Sequence, residues 1–226
     1  MKRLFLLCAV LMTAFLGVNA QVNDDQPLSG EDFLKGLKGT YVELFSTKTC
    51  LNPRFEPLWK SEVLKFVDAS KADNVLASIR GVCQGTRIGN DAISYCKEQG
   101  TMQFCCTFLQ GVSRFVVKGR TISGYNADNN LVFAHKYHFL EKDGNGNYLF
   151  ESDDSNLDEF RFFWFMPDSP KSTYHIEFRY GNDKEQLSQM MEGKYAFWMA
   201  AGVREGHEDE WRKGICLFVE ERLKGE

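Results

Sequence analysis

Histidine is scarce, four in 226 residues, and several chemical motifs are missing altogether. No C-x-x-C pair is present, which removes the common cysteine-based zinc modules. No G-x-S-x-G elbow, phosphate-binding glycine loop or H-E-x-x-H helix occurs, so the familiar hydrolase, nucleotide-binding and metalloprotease signatures are excluded. Lysine and arginine form no cluster and the net charge is −4, which argues against a nucleic-acid surface. Beyond residue 20 no apolar run approaches the roughly 20 residues that cross a bilayer, so no integral membrane segment is expected.

What is present begins with an export signal. Lys2 and Arg3 precede an almost unbroken apolar run from Leu4 to Leu16, and Val18-Asn19-Ala20 supplies a small-x-small cleavage pattern. Residues 1–20 are read as a cleaved signal peptide, which places the chain in the periplasm or the extracellular medium. Residues 21–29 are read as a flexible leader and 30–226 as a single domain. Six cysteines remain after cleavage: Cys50, Cys83, Cys96, Cys105, Cys106 and Cys216. An even number in an exported chain predicts two or three structural disulfides, and all fifteen pairings stay open.

Aromatic residues make up 14%, nineteen of them Phe, and favour pleated, half-buried surfaces. Gly30 to Lys38 reads as a short amphipathic helix, and Thr40 to Phe45 as a first strand. From Arg54 to Ile79 apolar residues recur at helical spacing, and Asn90 to Glu98 reads as one more helix. Met102 to Phe108 and Ser113 to Val117 are strand-like. Four further strands follow at intervals of about ten residues: Arg120 to Tyr125, Leu131 to Glu141, Asn147 to Ser152 and Phe160 to Phe165. Turn-forming clusters at Asn126 to Asn130 and at Asp143 to Gly146 separate them. This rhythm predicts an antiparallel meander able to close into a barrel. Pro167 to Ser172 reads as a loop and Glu185 to Glu192 as helical. Leu217 to Leu223 is either a helix or a strand.

The chemistry concentrates in Thr173 to Tyr180. As a strand it would place Tyr174, Ile176, Phe178 and Tyr180 on one apolar face and His175, Glu177 and Arg179 on the other. An imidazole and a carboxylate two residues apart on one face can converge on a zinc-like divalent metal. A polar strand face, or a His–Glu–Arg ladder inside a barrel, is the plainer alternative. His135 and His138 lie on an earlier strand with opposite facing, so one of them at most could join His175. The acidic stretch Asp153 to Glu159 lacks EF-hand spacing and reads as a solvated loop, as does Glu205 to Glu210 around His207. Tyr195 to Ala201 reads as apolar material capping the barrel.

Lys171 to Asp183, with Leu187, Met191 and Tyr195-Ala196-Phe197-Trp198 after it, resembles the C-terminal signature of the ZinT/YodA-type metal-binding lipocalins. Leu37 to Leu44 also falls where that family places its first barrel strand. The resemblance implies a calycin fold, mainly β with flanking helices: a lipocalin-like antiparallel β-barrel. It further implies a metal at the barrel mouth held by three histidines, two from an H-x-H strand and one from a preceding strand. Carried over, the first falls on His175, the second on Glu177 and the third at or near Met166. One ligand is kept and two are exchanged, and the family's histidine-rich loop is missing.

The sequence thus points to an exported lipocalin-like binding protein for a divalent metal or a small polar ligand. The expected metal ligands are His175 and Glu177 with His135 or His138, and Arg179 and Met166 are expected to line the site. A carrier of an apolar small molecule, with His175, Glu177 and Arg179 as internal anchors, is the competing reading. A secreted acid/base enzyme using His175 and Glu177 is a third. No enzymatic motif supports it, and nothing identifies a protein partner.

Overall fold

The computed structural model of the chain describes residues 29–155, 158–166 and 175–224. The signal, residues 21–28 of the leader, the loop expected at Pro167 to Ser172 and the Thr173 and Tyr174 positions therefore lie outside the described residues. Ser29 is described and belongs to the first helix as its cap. Eight antiparallel strands close into a barrel in strict sequence order. They are β1 (Gly39–Glu43), β2 (Arg114–Lys118), β3 (Thr121–Tyr125), β4 (Leu131–Lys142), β5 (Tyr148–Ser152), β6 (Phe162–Phe165), β7 (Ile176–Gly181) and β8 (Ala200–Arg204). β8 returns to pair with β1, Val42 opposite Val203, which leaves no free sheet edge. The helices are α1 (Gly30–Gly36), α2 (Glu56–Val63), α3 (Ala69–Cys83), α4 (Gly89–Gln99), the one-turn α5 (Lys184–Leu187) and α6 (Glu208–Leu223).

Strand alternation divides the apolar residues into two layers. The inward layer is aromatic: the Phe115 ring touches Phe133, Phe163, Phe178 and Tyr180 at centroid separations of 5.2–6.1 Å. Trp198 meets Tyr180 edge-on at 4.9 Å, also within the barrel. Ser29 caps α1 by accepting from the Asp32 amide. The helix then seats Phe33 against Tyr148, stacked at 3.9 Å, and against Phe165 at 5.8 Å. The barrel axis is thereby filled with rings.

The outward layer lies over β1 and β8. Val42, Ala201 and Val203 meet Trp59 and Val63 of α2, Leu76, Ile79 and Cys83 of α3, and Trp211, Ile215 and Val219 of α6. The α6 positions recur at every fourth residue, which sets one helix stripe against the barrel wall. Trp59 donates its indole N–H to the Cys50 carbonyl at 2.8 Å, satisfying the polar atom it buries.

Six expectations change at this level. The single helical region expected from Arg54 to Ile79 divides into a 3₁₀ turn and α2, a non-helical stretch, and then α3. Met102 to Phe108 forms no strand; Cys105 makes isolated bridges to Gln84 and to Trp198. The expected helix Glu185 to Glu192 is a single turn. Glu208, Asp209 and Glu210 are the first turn of α6 rather than a loop, where their charge complements the helix dipole. Ala200 to Arg204 is a strand whose small residues are almost all buried, so no polar alternation marks it. The two or three disulfides expected among the six cysteines are not formed, and all six are free thiols.

The β4–β5 turn shows how the predicted turn residues work. Asp143 accepts from the Asn145 amide (2.9 Å), the Asn147 amide (3.0 Å), the Asn147 side chain (2.8 Å) and the Trp164 indole (3.0 Å). Burial alone would raise the Asp143 carboxyl, but these bonds outweigh it and hold it below the usual carboxylate range. Its contribution is present above the pH at which the unfolded carboxyl titrates. It is lost as pH falls through the depressed folded value.

Two outcomes follow for equilibrium urea unfolding. Phe163→Ala should cost about 3–5 kcal/mol, since it opens a hole in the ring stack; a cost below about 1 kcal/mol would refute that packing. Asp143→Ala should cost about 1–2 kcal/mol at neutral pH, discounted for partial solvent screening. The gap from wild type should narrow as pH falls through the acid range, and a gap constant with pH would contradict the assignment.

Candidate metal-binding site on the outer face of β7

β7 is the strand on which the predicted chemistry lies, and its pleat decides where that chemistry points. Phe165 of β6 pairs with Phe178, and Phe163 with Tyr180. All four rings belong to the inward layer. Ile176 is inward too, opposite Gly202. Residues 175, 177 and 179 therefore face outward, away from the barrel axis. Glu177 stands opposite Ala201 on one side. On the other it stands beside Met166, whose amide donates to the Glu177 carbonyl at 3.0 Å.

His175 and Glu177 are together. His175 Nε2 lies 3.5 Å from Glu177 Oε1, with the imidazole 5% and the carboxylate 18% exposed. The pair therefore sits in a largely dry setting, where charge interactions are stronger than in water. The Glu177 charge also reaches Cys106, whose thiol is pushed well above its usual range chiefly by Cys83 and by burial.

Arg179 shares this face but not this site. Its guanidinium is fully buried and donates to the carbonyls of Leu187, Gln189 and Tyr195. Burial lowers it to about 10, with Tyr195 opposing, so it stays charged at neutral pH. It fastens the 187–195 segment over β7. Close to that contact the Tyr195 hydroxyl bonds the Asn182 amide at 3.1 Å. A Cβ on Gly181 would stand 2.1 Å from that hydroxyl, so only glycine allows the approach. As a ligand-lining residue, Arg179 is displaced by this structural duty.

His135 and His138 are held elsewhere, three strands away on β4. His135 points inward, with Nδ1 2.7 Å from Asp154 and Nε2 3.1 Å from Asp158. Both ring nitrogens are thus occupied by the β5–β6 connection. His138 points outward, with Nδ1 2.8 Å from Asp153, a carboxylate that also binds Arg120. The structure does not bring either histidine to the His175–Glu177 pair. Among the described residues no group of three His, Cys, Asp or Glu side chains is close enough to hold a metal ion. The acidic stretch expected to be a solvated loop instead supplies partners for both β4 histidines. Those contacts span 15 to 23 residues, so no local spacing could reveal them.

Sequence reasoning also missed Glu43. It accepts from the Phe108 amide at 2.9 Å, and burial raises its carboxyl above the usual range. An alternating Thr-Tyr-Val-Glu strand with Tyr41 inward places Glu43 inward as well, so the signal was available. No helix among the described residues is long and apolar enough to cross a membrane.

No protein-family model matches the chain, and none of the curated proteins matches it in sequence. Among solved structures it is similar to the Zn(II)-bound ZinT-like domain of AdcA from Streptococcus pneumoniae. The identity is 12% and the TM-score 0.50, over 90% of this chain and 94% of that domain. Zn(II)-bound AdcA from the same organism aligns at 11% identity and a TM-score of 0.49, over 88% of this chain and 40% of that protein. At such identity the likeness to the domain speaks for architecture. The chain has a ZinT-like calycin fold, an eight-stranded closed antiparallel barrel with flanking helices.

Proposed function

We propose that this chain is an exported binding protein that takes a divalent, zinc-like metal ion at His175 and Glu177 on the outer face of β7. The observation that carries the reading is the 3.5 Å separation of His175 Nε2 and Glu177 Oε1. Zinc bonds of about 2.0–2.2 Å to nitrogen and oxygen, at a tetrahedral angle, put the two donors roughly 3.4 Å apart. The pair therefore fits two corners of one zinc site with little rearrangement. Met166, beside Glu177, offers a thioether, a softer and weaker donor for zinc than imidazole. Water would fill what remains of the coordination sphere, which makes the site weaker and more open than a three-histidine one.

The ZinT-like domain with the same fold is Zn(II)-bound, which supports the choice of metal. Export rests on the signal-like pattern of residues 1–20. The ring-filled barrel weighs against a carried apolar molecule, because Phe115, Phe163, Phe178 and Tyr180 occupy the space it would need.

Isothermal titration of the protein with zinc tests the reading. Wild type should show saturable heat near one zinc per chain, and His175→Ala combined with Glu177→Ala should abolish it. Met166→Leu should keep the stoichiometry with a small change in affinity. Equal heats in wild type and the double variant, or none in wild type, would overturn the proposal.

A further inference from the structure

Cys83 ends α3, and the next residue, Gln84, makes an antiparallel bridge with Cys105. The Gly85 amide reinforces that register by donating to the Phe104 carbonyl at 2.9 Å. Cys83 and Cys106 flank that bridge on its two segments, so the end of α3 and the 102–108 segment bring them to adjacent positions. A disulfide needs Cα atoms roughly 4.4–6.8 Å apart. Cys83 and burial together push the Cys106 thiol well above its usual range, and both cysteines are buried in the outward apolar layer. The remaining cysteines are engaged differently. Cys50 donates to the Trp211 carbonyl, Cys105 meets the Thr107 hydroxyl, Cys216 is raised by burial and by the nearby Glu62 charge, and Cys96 packs with Met102 and Phe104.

We propose that Cys83 and Cys106 are an oxidisable pair that closes to a disulfide when the chain folds in the presence of a disulfide oxidant. One cysteine thiolate attacks the oxidant's S–S bond, forming a mixed disulfide and releasing one thiol. The second thiolate then attacks the protein sulfur, forming the Cys83–Cys106 bond and releasing the other thiol. The pair loses two protons and two electrons, and the oxidant, a protein or low-molecular-weight disulfide, is reduced to two thiols. Both sulfurs are buried once the fold is complete, so the exchange belongs to the folding chain rather than to the finished domain.

The bond would staple the end of α3 to the segment whose Cys105 and Cys106 carbonyls accept from Met199 (3.0 Å) and Ala201 (3.2 Å). Those bonds lead directly to β8, and Ala201 is the neighbour of Glu177. The disulfide would thus tie the helical layer to the barrel wall behind the outward face of β7. The inference stands apart from metal binding and survives if zinc does not bind.

The test is to unfold the reduced full chain, refold it in a glutathione redox buffer, and map its peptides without reduction by mass spectrometry. A Cys83–Cys106 linked peptide, lighter by two hydrogens than the sum of its parts, is expected. Reductant should remove it and lower Tm on the order of 10 °C. Cys83→Ala and Cys106→Ala should each abolish the linked species and the response of Tm to reductant, whereas Cys50→Ala should change neither. Full alkylation of both cysteines in the refolded wild type, or linkage of either mainly to another cysteine, would overturn the proposal. Wild-type mapping decides the matter even if a variant fails to fold.

Discussion

The pleat of β7 is the constraint on which the remaining structure depends. Ile176, Phe178 and Tyr180 complete the aromatic interior, and a period of two then leaves residues 175, 177 and 179 no choice but the outer face. Reversing the strand by one residue would put an imidazole, a carboxylate and a guanidinium among the rings of Phe115 and Phe163, at the cost of burying charge without partners. The apolar demand of the core therefore sets which face carries the polar chemistry.

Once those side chains point outward, the protein must cover or use them. Arg179 is covered: the 187–195 segment closes over it and supplies carbonyl oxygens in place of water, which keeps a buried cation tolerable. Glu177 and His175 lie farther along the same face, where the outer layer leaves them close together and nearly dry. The same layer holds Cys83 and Cys106, so the region combines packed helices, a thiol pair and a donor pair on one wall of the barrel. A site built on a rigid strand in this manner is better defined than one on a loop.

Much of the barrel could be read from the chain. β2 to β6 followed from strand-length apolar runs divided by Asn- and Gly-rich turns, and the Asp143 turn shows the physical content of that signal. β8 was not legible, because Ala200, Ala201 and Gly202 are buried on both faces and carry no alternation. The first turn of α6 was mistaken for a loop since its three acids look solvated, although they suit a helix N-terminus. The His175–Glu177 pairing was legible from local spacing. The Asp154 and Asp158 clamp on His135 was not, because long-range contacts of that kind are set by how the barrel closes. Nor could period two alone say which face of β7 turns inward. The size of the Phe178 and Tyr180 rings held that information, and the ring-filled interior shows why.

Anomalous diffraction at the zinc edge, on crystals of the protein soaked in zinc, tests the central claim most directly. The account predicts one strong peak about 2.0–2.2 Å from both His175 Nε2 and Glu177 Oε1. A peak at His135 between Asp154 and Asp158, or no peak near β7 at saturating zinc, would contradict it.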